Sequence, residues 1–209
     1  MPRRIVIIFI VDLHRKTLNH TLSMNIVVNT YTGKCIVRPD TTWEKDNEDF
    51  YPPEFVERIS CTPVLFARVS KPGRSVGERF ASRYYDAAGY GVLLYPENML
   101  DGSEEGYACA SCVDHTSFIS FPGSEPSCLE GEAFTLSRGG EEIFRTPGCT
   151  REMIEKAIAE LTKYVYIRTG DVIAIELSPR MPLLERKDGT ASVKGCFLGA
   201  NTIDFNVIF

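Results

Sequence analysis

Short apolar runs rich in β-branched residues, separated by turn residues, make up most of this chain, and one stretch near residue 150 keeps a sustained helical period. Residues 25–29 (NIVVN) and 34–37 (KCIV) flank Tyr31, Thr32 and Gly33, which predicts an N-terminal hairpin. Residues 38–53 are polar and acidic, with Trp43 and Phe50 as aromatic anchors, and read as a surface loop. Residues 64–69 are apolar enough for a buried strand, which Lys71, Pro72 and Gly73 stop. Residues 75–88 place Phe80, Tyr84 and Ala87 on one face and predict a helix, and residues 91–95 predict a strand ended by Pro96. A loop-rich middle follows over 97–130. Residues 133–137 and 142–144 flank Arg138, Gly139 and Gly140, a hairpin signal. The clearest helix starts after Thr150 as N-cap, with Met153, Ile154, Ala157, Ile158, Leu161 and Val165 at helical spacing. Residues 171–177 and 200–209 predict two closing strands. Periodicity alone therefore gives an α plus β chain, with no internal repeat and no linker long enough to divide residues 24–209.

Composition narrows this picture little. The 209 residues are 44% hydrophobic and 24% charged, ordinary for a globular protein with one sizeable core. Net charge is −5 and Lys and Arg are scattered without a run, so a nucleic-acid partner, which needs a basic stripe, is not expected. The seven cysteines are odd in number and irregular in spacing, which favours reduced thiols in a cytoplasmic protein over a disulfide framework. Cys109 and Cys112, with His115 three positions on, form the one cluster with metal or redox potential. No second pair lies nearby to complete a zinc site, and two packed thiols are the plainer reading. Residues 1–23 begin MPRR-IVIIFIV, like the basic and apolar parts of a signal peptide. The apolar run is short, though, Asp12 follows at once, and no small-x-small cleavage site is present. A disordered or mis-assigned extension before Met24 is expected, and no membrane span.

The segment VSKPGRSVGERFASRYYDAAGYGV at 69–92, together with TGDVI at 169–173, resembles the fumarylacetoacetate hydrolase family. The likeness extends over roughly residues 24–209 and is most specific at 79–86 and 169–173. It implies an α+β, strand-rich roll of mixed sheets with one or two helices, forming one domain over 24–209 and commonly a homodimer. It also implies a hydrolase or lyase site for β-keto or β-diketo acids built on Mg²⁺ or Mn²⁺, which carboxylates hold because hard cations prefer charged oxygen.

Registered on Gly73 and RYYDA, the two family glutamates fall on Thr62 and Val64, and the third ligand falls on Leu93. The catalytic histidine position is empty, because His14, His20 and His115 all lie outside 24–114. The family's pocket lysine falls near Ser111, ahead of Val113 and Asp114. Its carboxylate-binding arginine falls near Glu97, a reversal of charge, and Ser178 is the one hydroxyl able to stand for the threonine of the Gly-Thr-Pro strand end. The expectation is a divergent, non-catalytic family member with a binding or regulatory role, no cofactor, and a residual pocket drawn from Glu97, Ser111, Asp114, His115 and Ser178. Its ligand would be a small dicarboxylate or keto acid. The alternative is a hydrolase or decarboxylase with a rebuilt metal site using Glu97, Asp101, Glu104, Glu105, Asp114 and His115, and then Mg²⁺ or Mn²⁺.

Overall fold

The computed structural model describes residues 24–209, so the expectation for residues 1–23 lies outside the described residues. Within them the chain forms two sheets and two α-helices. The larger sheet is built from β1 (Ile26–Asn29), β2 (Cys35–Arg38), β3 (Trp43–Glu44), β4 (Arg58–Val69), β5 (Tyr85–Pro96), β6 (Ser117–Phe118), β9 (Val172–Glu176) and β10 (Met181–Glu185). Its order is β2-β1-β9-β4-β5-β6-β3, with β10 beside β4. The smaller sheet has β7 (Phe134–Arg138), β8 (Glu141–Thr146), β11 (Thr190–Phe197) and β12 (Ala200–Ile208) in the order β12-β11-β7-β8. The β1–β9 and β3–β6 pairs are parallel and the other ladders antiparallel, so the larger sheet is mixed.

β4 and β5 are the spine, paired antiparallel from Ile59 with Pro96 to Val69 with Tyr85. Side chains alternate across a strand. Ile59, Cys61, Leu65 and Ala67 of β4, with Ala88, Tyr90, Val92 and Leu94 of β5, therefore point one way. They meet Phe134, Leu136, Val193, Ile203 and Phe205 of the smaller sheet and Ile154, Ala157, Ile158 and Leu161 of α2 (Arg151–Leu161). On this inner face Tyr90 stacks on Phe134 with ring centroids 4.7 Å apart. Val64, Phe66, Leu93 and Tyr95 point the other way, beside Ile26, Val28, Val172 and Ala174. Trp43, Phe121 and α1 (Glu104–Ala110) pack over that outer face. Burial on both sides explains why β4 reads as a continuous apolar run rather than an alternating one.

Several expectations are corrected. Residues 75–88 are not a helix: a 3₁₀ turn, Glu78–Arg83, runs directly into β5. Tyr85, Ala87 and Ala88 pair with Val69, Arg68 and Ala67. That long-range ladder wins over the short apolar period. Gly91 is needed for closeness, since a Cβ there would sit 2.7 Å from the Phe118 carbonyl oxygen. Asp86, at the start of β5, pairs with Arg68 of β4 at 2.8 Å. Residues 38–53 are not all surface loop, because Arg38, Thr42, Glu44 and Phe50 are buried. Residues 97–130 include α1, and the strands β10 and β11 have no counterpart in the sequence reading. Thr150 does precede α2, yet its side chain makes no capping hydrogen bond. Among the described residues no helix is long and apolar enough to cross a membrane.

Candidate functional site

The outer face carries the polar side chains that the inner face excludes. Glu176 ends β9 opposite Val64, so its carboxylate shares the face of Thr62, Val64 and Leu93. Tyr95 donates to Glu176 Oε1 at 2.6 Å, and the Tyr107 hydroxyl lies 3.2 Å from the same oxygen and 3.1 Å from the Tyr95 hydroxyl. The Tyr31 N–H donates to Oε2 at 2.8 Å. An ionised carboxylate only accepts, and its protein partners here are donors, so the arrangement suits the anion. Burial raises the Tyr95 phenol well above its ordinary value; the Arg38 charge opposes the shift and the Glu176 charge adds to it. Burial, with the Glu176 charge behind it, raises Tyr107 too, so both phenols stay protonated at neutral pH.

α1 delivers Tyr107. Ser103 is its N-cap and accepts from the Gly106 N–H at 2.9 Å, while Glu104 and Glu105 occupy the first turn, where the helix dipole favours acids. Asp101 accepts from Ser103 N–H and Oγ–H, and these bonds lower its carboxyl below the usual range. The acidic stretch at 101–105 is thus accounted for as a helix start.

Beneath Tyr95 lies Arg38, with no exposed surface. Its Nη1 donates to Ser117 Oγ at 2.7 Å and to the Thr116 carbonyl at 3.0 Å, and its Nη2 to the Leu94 carbonyl at 2.8 Å. The guanidinium carbon stands 4.6 Å from the Tyr95 ring centroid, a cation–π contact. Arg180 covers the other end of the cluster, 5.9 Å from the Tyr95 ring and 5.5 Å from the Tyr107 ring, and pairs with Glu97 at 3.7 Å. A cavity of about 340 Å³ opens above Glu176 and Tyr107, walled by the Thr30–Lys34 turn, by Ser103 and Glu104, and by Pro179 and Arg180.

The divalent cation implied by the resemblance can be tested against the residues at its expected place. Thr62 pairs with Leu93, and Leu93 with Ser117, so the three form one row across β4, β5 and β6. Thr62, Val64 and Leu93 are fully buried, and they offer one neutral hydroxyl and two hydrocarbon side chains. Arg38 bonds to the end of the same row. Hard cations take charged oxygen ligands, and a fixed guanidinium repels them. The residues do not fit Mg²⁺ or Mn²⁺. Arg38 Nε and Thr62 Oγ1 are also the buried side-chain atoms without a hydrogen-bond partner among the described residues.

The other predicted residues scatter. Glu97 holds Arg180, and Ser111 is buried at the end of α1, donating to the Tyr107 carbonyl. Ser178 donates to the Pro179 carbonyl two residues beyond Glu176. Asp114 and His115 line a different cavity of about 740 Å³, where His115 Nδ1 lies 3.2 Å from Glu44. Cys109 and Cys112 are exposed free thiols. No group of three or more His, Cys, Asp or Glu side chains among the described residues is placed to hold a metal. Arg38, Tyr95, Tyr107, Glu176 and Arg180 were missed by sequence reasoning. Two signals pointed to them: a charged residue closing each of the apolar runs CIVR and VIAIE, and the Ser103 cap that brings Tyr107 into a helix.

No protein-family model matches the chain, and no curated protein matches it in sequence. Solved structures do match in shape. A Yersinia pestis protein assigned to the fumarylacetoacetate hydrolase family superposes with a TM-score of 0.72 at 15% identity, covering 89% of this chain and 93% of that one. Fumarylpyruvate hydrolase from Pseudomonas aeruginosa, in complex with Mn²⁺ and pyruvate, gives 0.69 at 14% identity over 84% and 78%. 2-Hydroxyhepta-2,4-diene-1,7-dioate isomerase from Mycobacterium marinum gives 0.68 at 13% over 90% and 75%. At these identities the likeness establishes the fold, and it is the α+β fold of the fumarylacetoacetate hydrolase family that the sequence resemblance implied.

Proposed function

We propose that this chain uses the fumarylacetoacetate hydrolase fold to bind a small carboxylate without a divalent cation, and that it does not perform metal-assisted cleavage or decarboxylation. The observation that carries this reading is the row Thr62–Leu93–Ser117, which offers no carboxylate where the family resemblance expects the metal ligands and ends on the buried Arg38 guanidinium. An organic cation fixed by four neighbouring oxygens and an aromatic ring supplies positive charge with no open coordination position. It holds no Lewis-acid site on which a keto acid's enolate would be stabilised. The 340 Å³ cavity keeps room for a small molecule, and Arg180 and Lys34 on its walls supply the charge that a carboxylate needs. The keto acids and dicarboxylates of the sequence reading belong to that chemical class.

The test is calorimetric titration of Mg²⁺ and Mn²⁺ into the full chain, with carboxylate binding measured in chelator and in added metal. Carboxylate binding that is indifferent to chelator, with no stoichiometric metal heat, is the expected result. One-to-one Mn²⁺ binding with metal-dependent turnover of a keto acid would overturn the proposal.

A further inference from the structure

The cavity above Glu176 is not uniformly basic, and its charge arrangement narrows the ligand. At its floor the Glu176 carboxylate, 9% exposed, is bonded by Tyr95, Tyr107 and the Tyr31 N–H, all of them neutral groups. It makes no ion pair among the described residues. A carboxylate has about four lone-pair sites; Tyr95 and the Tyr31 N–H fill two and the single Tyr107 proton, which also faces the Tyr95 hydroxyl, fills at most a third, so at least one acceptor direction remains for a group entering the cavity. At the mouth the order of charge is reversed. Arg180 is 38% exposed at its side chain and held to Glu97 by a single long contact of 3.7 Å, while Lys34 is exposed and makes no ion pair among the described residues. The turn that carries Lys34 is fixed by three hydrogen bonds: Thr30 N–H to the Lys34 carbonyl, Gly33 N–H to the Thr30 carbonyl, and Lys34 N–H to Thr30 Oγ1. The cavity thus presents a buried anion below and two cations above, Arg180 and Lys34, with the exposed Glu104 side chain on the same wall as Ser103.

A dicarboxylate seated here would set one of its own charges against Glu176, which a low-dielectric floor makes costly. A keto oxygen at that place is an acceptor facing an acceptor, leaving the remaining Glu176 site unbonded. An ammonium group suits it on both counts. It brings three donors and the opposite charge, and charge-assisted hydrogen bonds to a buried carboxylate are the stronger kind. A volume of about 340 Å³ suits a ligand of amino-acid size.

We infer that this cavity takes a zwitterion, an α-amino acid or close relative, with its ammonium on Glu176 and its carboxylate on Arg180 and Lys34. The inference rests on the carboxylate-site reading above and selects within it. Selectivity comes from the buried acid, and the rim cations supply attraction that any carboxylate would feel.

Matched pairs test it, because they differ only in amine against carbonyl: L-alanine with pyruvate, L-leucine with 4-methyl-2-oxopentanoate, and L-glutamate with 2-oxoglutarate. Each is titrated into the full chain by calorimetry. At least one amino acid is expected to bind about tenfold or more tighter than its keto partner, the scale of one charge-assisted hydrogen bond. Glu176→Gln is expected to erase that ratio while keeping the keto-acid affinity, and Arg180→Ala to weaken both members of a pair alike. Should Glu176→Gln lose its fold, N-acetyl amino acids replace it as the probe, since they keep the carboxylate and lose the ammonium; their affinity is expected to fall to the keto-acid level or below. Keto acids or dicarboxylates binding as tightly as the amino acids would overturn the zwitterion and leave the carboxylate site standing. Absence of binding by every probe would overturn both.

Discussion

The two faces of the β4–β5 ribbon are both buried and are built on different principles. On the inner face, Leu65, Tyr90, Val92 and Leu94 meet the second sheet and α2 through hydrocarbon and aromatic contacts. Its polar requirements are small: the Tyr90 hydroxyl accepts from the Cys149 N–H at 3.1 Å. On the outer face the same two strands present Thr62 and Tyr95 to a buried arginine and a buried carboxylate. Arg38 and Glu176 do not touch: Tyr95 stands between them, its ring against one and its hydroxyl on the other. Two opposite charges held apart by a phenol are poorer packing than two isoleucines, since each keeps part of its desolvation cost. A protein that maximised stability would have made the outer face resemble the inner one. The difference marks where selection has acted on something besides folding.

That contrast can be broken from either side. Phe134→Ala removes the ring stacked on Tyr90 and should cost about 3–5 kcal/mol in denaturant unfolding, with the outer-face cavity still able to bind its ligand. Arg38→Ala should cost about 3 kcal/mol, because the Ser117, Thr116 and Leu94 oxygens lose their donor inside the fold. Arg38→Met restores volume but not the donors and should cost nearly as much, so a methionine variant close to the native urea midpoint would refute the view that these bonds dominate. Alkaline titration reads both faces together. The folded-state pKa values of Tyr90 and Tyr95 are raised, chiefly by burial, and that of Tyr85 is pushed up to about 12. A phenol with a raised folded value contributes stability that is fully present below its unfolded value of 10 and is lost as pH climbs through the folded one. The urea midpoint should therefore hold up to about pH 10 and fall beyond it, with tyrosinate absorbance of these rings appearing only as the chain opens. Thr62→Val is the smallest change and has the opposite sign. Replacing a buried hydroxyl that has no partner by a methyl group should stabilise by about 1 kcal/mol, read as a higher urea midpoint.

Legibility in the sequence followed the range of the interactions. The period of Ile154, Ala157, Ile158 and Leu161 is local, and α2 was found with these four on its buried face, while Met153 is exposed and Val165 lies past the helix end. The strands over 64–69 and 91–95 were found too, each cut short because continuous burial hides where a strand with two covered faces begins. The helix expected over 75–88 failed for the opposite reason: three apolar positions at helical spacing were outweighed by a ladder to β4 that no local window contains. The site was the least legible. Arg38 follows three residues of an edge strand and looks like a surface cation until Leu94 and Ser117, 56 and 79 positions away, are folded against it. Ser111, Asp114 and His115 were close to one another in sequence and the fold separates their roles. Ser111 anchors the end of α1, whereas His115 faces Glu44.

The parallel pairing of β1 with β9 sets an order of events. Ile26 lies beside Val172, and Tyr31 meets Glu176 across 145 positions, so closing this ladder carries the loop entropy of most of the described chain. The floor of the cavity and its Lys34 wall come from the two ends of that loop and do not exist as a pair until it closes. Competence to hold a ligand should then arrive with the last phase of refolding rather than with collapse. A small molecule seated between Glu176 and the Thr30–Lys34 turn would act as a clasp, slowing the separation of the earliest strand from one of the last.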